Sequence, residues 1–161
     1  MKHIPTFAGI GLALLLVGCS STQMATAPVG PNPNGINNHA NTGQLQVFSA
    51  LVGRTEGDNP TWYQHSDYTV YNDQGKEVEH VMNENGTYAQ SPRLIMLAPG
   101  NYKVKAEAKD YASVEVPVVI AAGRVTRVHL DDAWRKPADA SHAEVVYLPT
   151  ANPVGWNADA K

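Results

Sequence analysis

The sequence predicts an all-β fold, a small antiparallel β-sandwich of about seven strands set behind a signal peptide and a flexible linker. Three observations carry that expectation. From residue 44 onward apolar side chains recur with period two, most clearly where Tyr102, Val104, Ala106 and Ala108 alternate with Lys103, Lys105, Glu107 and Lys109. Clusters of Gly, Pro, Asn and Asp interrupt these runs at short intervals, and no stretch after Gly43 combines a helical apolar period with caps. Successive side chains of a strand point to opposite faces, so period two marks a strand with one buried and one wet face. Many short strands broken by turn residues favour two packed sheets.

Residues 1–18 read as a signal peptide. Lys2 supplies the positive start, and Phe7 to Val17 is an uncharged, mostly apolar run. That run suits a signal-peptide core and falls short of the roughly 20 residues that span a bilayer as a helix. It ends at Leu16-Val17-Gly18-Cys19, where Cys19 is the single cysteine of the chain. These four residues resemble the bacterial lipobox, in which small residues precede a lipid-modified cysteine. The alternative is a plain secretory signal cut at a later site, with Cys19 a small apolar residue. The resemblance implies cleavage before Cys19, acylation there, and a lipid bilayer as the partner that holds residues 19–161. Acyl chains at ~0.8 kcal/mol per buried methylene make a stable anchor without a spanning helix. Ser20, rather than Asp, follows the cysteine. In a Gram-negative envelope that favours the outer membrane.

Residues 19–43 read as a lipidated N-terminus and disordered tether. Between Lys2 and Arg54 no formal charge occurs, and Pro28, Gly30, Pro31, Pro33, Gly35 and Gly43 break the stretch. Such a composition offers little apolar surface to offset chain entropy.

Residues 44–130 read as the sandwich. Leu45, Val47, Ser49 and Leu51 share the core face of a first strand, and Gly53 to Pro60 reads as a loop. Tyr68 to Tyr71 and Lys76 to Met82 form a hairpin around Asn72-Asp73-Gln74-Gly75, good turn chemistry. Leu94 to Leu97 is a short apolar strand ended by Ala98-Pro99-Gly100. Val114, Val116, Val118 and Ile120 share the core face of the strand after Tyr102–Ala108. Pro117 lacks a ladder donor, which places that strand at an edge or bulges it. Arg124 to Leu130 follows the turn at Ala121-Ala122-Gly123, with Thr126, Val128 and Leu130 inward. Residues 131–161 read as a packed extension with one helical turn at Asp131–Lys136 and one added strand at Val145–Leu148.

From Leu97-Ala98-Pro99-Gly100-Asn101-Tyr102-Lys103-Val104 to Gly123-Arg124-Val125-Thr126, the chain resembles a carboxypeptidase regulatory-like domain. The turn Asp73-Gln74-Gly75-Lys76 matches that group's habit of a D-x-x-G or D-G-K hairpin, and Leu130 its closing strand. The resemblance covers about residues 67–130. It implies a prealbumin-like (transthyretin-like) sandwich related to PEGA-type surface modules, used as a non-catalytic accessory, spacer or binding unit. The zinc-bearing catalytic domain of carboxypeptidases is a separate domain and is not part of the match.

Composition narrows the function further. Twelve basic against fifteen acidic residues give a net charge of −3, which leaves no excess to neutralise nucleic-acid phosphates. One cysteine excludes an internal disulfide framework, a four-cysteine zinc site and an iron–sulfur cluster. His3, His39, His65, His80, His129 and His142 form no H-E-x-x-H pattern or ligand-spaced pair, so neither metal nor other cofactor is expected. His65 with Asp67, and His80 with Glu77 and Glu79, read as solvated histidines rather than ligands. No G-x-S-x-G elbow exists, and Asp131-Asp132 lacks the rest of a calcium loop. Catalytic residues are therefore not assigned.

Aromatic residues supply the binding candidates. Trp62, Tyr63 and Trp156 fall where loop aromatics stack on sugar rings in β-sandwich modules. The competing reading is that tryptophans plug the open ends of the sandwich. The expected function is a non-enzymatic, lipid-anchored cell-envelope protein that displays a β-sandwich interaction domain. The alternative is a module binding peptidoglycan or another glycan. Its partner beyond the bilayer is then an envelope protein or a glycan.

Overall fold

The computed structural model describes residues 22–55, 57–58, 61–83 and 91–160. The strands are β1 (Gln23–Met24), β2 (Pro31–Ile36), β3 (Gly43–Phe48), β4 (Leu51–Arg54), β5 (Trp62–His65), β6 (Tyr68–Asn72) and β7 (Glu77–Val81). They continue as β8 (Leu94–Leu97), β9 (Gly100–Ala108), β10 (Tyr111–Ile120), β11 (Arg124–His129), β12 (Val145–Tyr147) and β13 (Pro153–Trp156). A 3-10 turn at His142–Glu144 is the single helical element among the described residues.

Two sheets form the sandwich, one ordered β1-β10-β9-β6-β7 and the other β2-β11-β3-β8. Their inner faces meet in one core to which Val47, Val70, Val104, Val116 and Val128 each contribute a fully buried side chain. Each such burial stabilises by about 1.5–3 kcal/mol relative to exposure. The all-β class and the sandwich are as the alternation predicts. Among the described residues the two sandwich sheets hold nine strands against the seven or so expected, with short strands added at the N-terminus, and a lateral hairpin and the tail supply four more. The sheets are mixed rather than purely antiparallel: β3 runs parallel to β11, and β1 parallel to β10.

The central elements follow the pleat. In β9, Val104, Ala106 and Ala108 are buried while Lys105, Glu107 and Lys109 beyond it are exposed. The β6–β7 hairpin closes through Asn72, whose Oδ1 accepts the amides of Gln74 and Lys76. Gly75 completes the turn at φ 74°, a left-handed conformation that favours glycine. Pro117 sits within β10, not at a bulge, since the register shift lies between Tyr111 and Val114. Its carbonyl accepts from Val29 at 2.8 Å, so its missing donor falls on the side crossed by the N-terminal segment rather than on the β9 ladder.

Three expectations require correction. The first is the tether over 19–43, whose described part from residue 22 is built into the sandwich. Val29 is fully buried, and its carbonyl takes the amide of Val119 at 2.8 Å. The Arg124 guanidinium donates to the carbonyls of Asn32 and Pro33, both at 2.9 Å. Backbone and side-chain hydrogen bonds thus hold a segment that apolar area alone does not, and β2 accommodates Pro31 and Pro33 as an edge strand. Residues 19–21 lie outside the described residues.

The second correction concerns Leu51 and the start of the loop expected at Gly53–Pro60, since Gly53 and Arg54 belong to β4. β3 ends at Phe48, and the amide of Ala50 donates to Glu107 of the opposite sheet at 2.9 Å. The chain has crossed between sheets, so Leu51 leaves the core face and starts the β4–β5 hairpin, paired Leu51 to His65 and Arg54 to Trp62. The third lies in the tail. No helical turn forms at Asp131–Lys136, where Asp132 takes φ 60° and Asp131 Oδ1 accepts the amide of Ala133. Two strands, β12 and β13, pair there instead of one.

Candidate functional site

The outer face of the four-stranded sheet carries a hydrogen-bonded set of polar side chains. Its register sets Gln46 of β3 beside Arg127 of β11, and Phe48 beside His129. Arg127 Nε donates to Gln46 Oε1 at 3.2 Å, and the Arg127 amide donates to Asn32 Oδ1 at 3.2 Å. The C-terminal extension folds back over this face. Gly155 makes the approach possible: a Cβ there would lie 2.6 Å from Val29 Cγ1 and 2.8 Å from the Arg127 carbonyl oxygen.

Between β2, β11 and the returning tail lies a groove of about 530 Å³ lined by Asn32, Asn34, Arg127, Asp139, Glu144 and Trp156. A second hollow of about 370 Å³ adjoins it, shares Pro33, Glu144 and Trp156, and extends to Arg124 and Ala158. The half-buried indole of Trp156 is common to both. A flat apolar ring flanked by amide, guanidinium and carboxylate groups can stack on a sugar or ring face while polar groups fix its orientation. The Ser141 amide donates to Glu144 Oε2 at 2.6 Å. Hydrogen bonding to Ser141, helped by the Lys136 charge, holds the Glu144 carboxyl below its ordinary range, so it is anionic at neutral pH.

Behind the groove runs an aromatic ladder. Trp156 meets Trp134 edge-on at 6.1 Å, Trp134 stacks on His129 at 5.4 Å, and His129 stacks on Phe48 at 4.4 Å. His65 closes the series edge-on to Phe48 at 5.6 Å. Burial pushes the His129 imidazole down to about 4, against the upward pull of Asp131 and with the help of Arg127 and His65. His129 is therefore neutral at pH 7.

The candidate aromatics do not converge. Trp156 lines the groove, whereas Trp62 and Tyr63 lie on β5 of the lateral hairpin, half-buried and exposed respectively. Trp134 and Trp156 cover a sheet face rather than plug an end of the sandwich. Leu16, Val17, Gly18 and Cys19 lie outside the described residues.

The histidines also separate. His65 is buried, not solvated, and its Nδ1 donates to the Ser49 carbonyl at 2.6 Å. His80 Nδ1 lies 3.1 Å from Thr69 Oγ1, and His142 stacks on Tyr147 at 4.3 Å. Asp132 pairs with Lys109 at 3.2 Å and Arg135 at 3.6 Å. Among the described residues no three His, Cys, Asp or Glu side chains gather as a metal site. Among them, too, no helix is long and apolar enough to cross a membrane.

Asn32, Arg127 and Glu144 are groove residues that the sequence did not single out. The one available signal for Arg127 was its outward position in the Arg124–Leu130 alternation. Asn32 carried none, because its stretch reads as linker. Searches for a matching family model, a similar curated protein or a similar solved structure return no match for this chain.

Proposed function

We propose that this protein is a lipid-anchored cell-envelope module, acylated at Cys19, whose β-sandwich binds a partner rather than performing a reaction. Lys2, the Phe7–Val17 run and Leu16-Val17-Gly18-Cys19 support the anchoring, and Ser20 favours the outer membrane of a Gram-negative host. The likeness of residues 67–130 to carboxypeptidase regulatory-like domains supports an accessory role. The observation that carries the binding role is the Trp156 groove. Its polar groups are already committed to structural partners: Arg127 to Gln46, the Asn32 side chain to Arg127, and Glu144 to Ser141. Groups fixed in this way present a rigid surface, which lowers the ordering cost of binding.

The indole at the centre of the groove favours a glycan as the partner, with peptidoglycan the first candidate. The chain starting at Ser20, incubated with purified envelope polymer, should co-sediment, and Trp156→Ala should reduce retention at least tenfold by removing about 1.5 kcal/mol of stacking. Equal retention of both proteins would reject the groove as the glycan site.

A further inference from the structure

We propose that one end of the sandwich, bearing Met24, Leu51, Tyr63 and Met82, rests on the lipid surface that holds the acyl chains. The proposal rests on the acylation of Cys19 and adds to it a seated orientation for the folded domain. Its first support is chain length. β1 starts at Gln23, four residues past Cys19. Four extended residues reach at most ~14 Å. Gln23 pairs with Val114, and Val114 pairs with Ala106, so the anchored strand begins at the end of the sheet where β9 turns into β10. That end cannot leave the membrane surface by more than the tether allows.

Its second support is what this end exposes. The amide of Ser66 donates to the Ala50 carbonyl and that of Ala50 to Glu107, which fixes the base of the β4–β5 hairpin beside the β9–β10 turn. Tyr68 pairs with both Val81 and Ala106, which brings Met82 to the same end. Met24 is 50% exposed, Leu51 53%, Tyr63 64% and Met82 55%. Four large apolar or amphipathic side chains are thus spread over this end, from β1 at one edge of its sheet to the residue after β7 at the other. The opposite end, with the Asn72–Gly75 turn and Gly123, exposes Ile36, Val78 and Met96, so it is the short tether that selects which end is seated. Tyrosine favours the headgroup level, where its ring is apolar and its hydroxyl wet.

Charge at this end carries no basic excess: Asp132 takes both Lys109 and Arg135, and Asp110 and Asp131 stand beside them. Seating is therefore apolar and insensitive to salt, rather than a polybasic attraction to anionic lipid. Each contact is weak by itself, but a short tether holds the end at an effective concentration in the millimolar range. The same seating leaves the groove open to solution, because the hollow that adjoins it runs toward Ala121 and Arg124 at the far end.

The test couples the chain from Cys19, through that thiol, to a maleimide lipid in phosphatidylcholine nanodiscs. Relaxation enhancement of backbone amides by a paramagnetic headgroup lipid is then read by NMR. Amides of Leu51, Tyr63 and Met82 should relax several-fold faster than those of Gly75 and Gly123, unchanged by added salt. The double variant Leu51→Ser, Tyr63→Ser, at two exposed positions, should lose the part of that contrast that the tether alone does not impose. Equal enhancement at both ends, or a contrast abolished by salt, would overturn the proposal. Because the lipid is attached chemically, this outcome is independent of native acylation, which is read separately from the mass of the cellular protein.

Discussion

Acidifying the protein from pH 7.5 to 5.0 should destabilise it through one side chain, His129. Its ring is stacked between Phe48 and Trp134, and burial lowers its pKa from 6.5 to about 4. The unfolded chain then binds a proton that the folded chain refuses between those two values. Stability is full above pH 6.5 and falls as the pH drops toward 4. At ~1.4 kcal/mol per pKa unit the whole window corresponds to about 3 kcal/mol, of which about 2 kcal/mol is lost by pH 5.0. Glu144, whose carboxyl is held below its ordinary value by its hydrogen bonds to Ser141, keeps its contribution above the usual carboxylate range and loses it as the pH falls further. Urea unfolding followed by tryptophan fluorescence should show a midpoint lower by about 1 M at pH 5.0. His129→Phe keeps a flat ring in the stack and carries no proton, so its midpoint should move much less between the two pH values. An equal acid shift in both proteins would refute the reasoning, as would an NMR titration placing His129 near 6.5.

Val104→Asp places an unpartnered carboxylate in the middle of the core and should cost at least about 4 kcal/mol, visible as loss of the cooperative melt. Val29→Ala should cost about 2 kcal/mol by denaturant unfolding, and no change would show that residues 22–36 are a tether after all. Gly155→Ala forces a methyl group against Val29 and the Arg127 carbonyl and should lower stability by about 1–3 kcal/mol.

The pleat made the middle of the chain legible. Lys103, Lys105, Glu107 and Lys109 declare a wet face, and Asn72-Asp73-Gln74-Gly75 declares a turn; both hold. The N-terminal strands were not legible because hydrogen bonds to distant residues hold them. Asn32 bonds Arg127 and Asn37 bonds Arg124, far along the chain, and Val29 is the one fully buried apolar anchor there. Leu51 misled because alternation continues in sequence past the point where Ala50 crosses to the other sheet. For the site, Trp156 was visible as an aromatic near the tail, but its neighbours depend on the parallel pairing of β3 with β11. Nothing local encodes that pairing. Phe48 and His129 therefore give no sign in sequence that they stack.

The most direct measurement is the intact mass of the protein extracted from cell membranes, with fragmentation of its first residues. A lipid-anchored module predicts a chain that begins at Cys19 and carries acyl groups on that residue, and a Cys19→Ser variant without them. A mature chain beginning elsewhere, or Cys19 present with an unmodified thiol, would contradict the account.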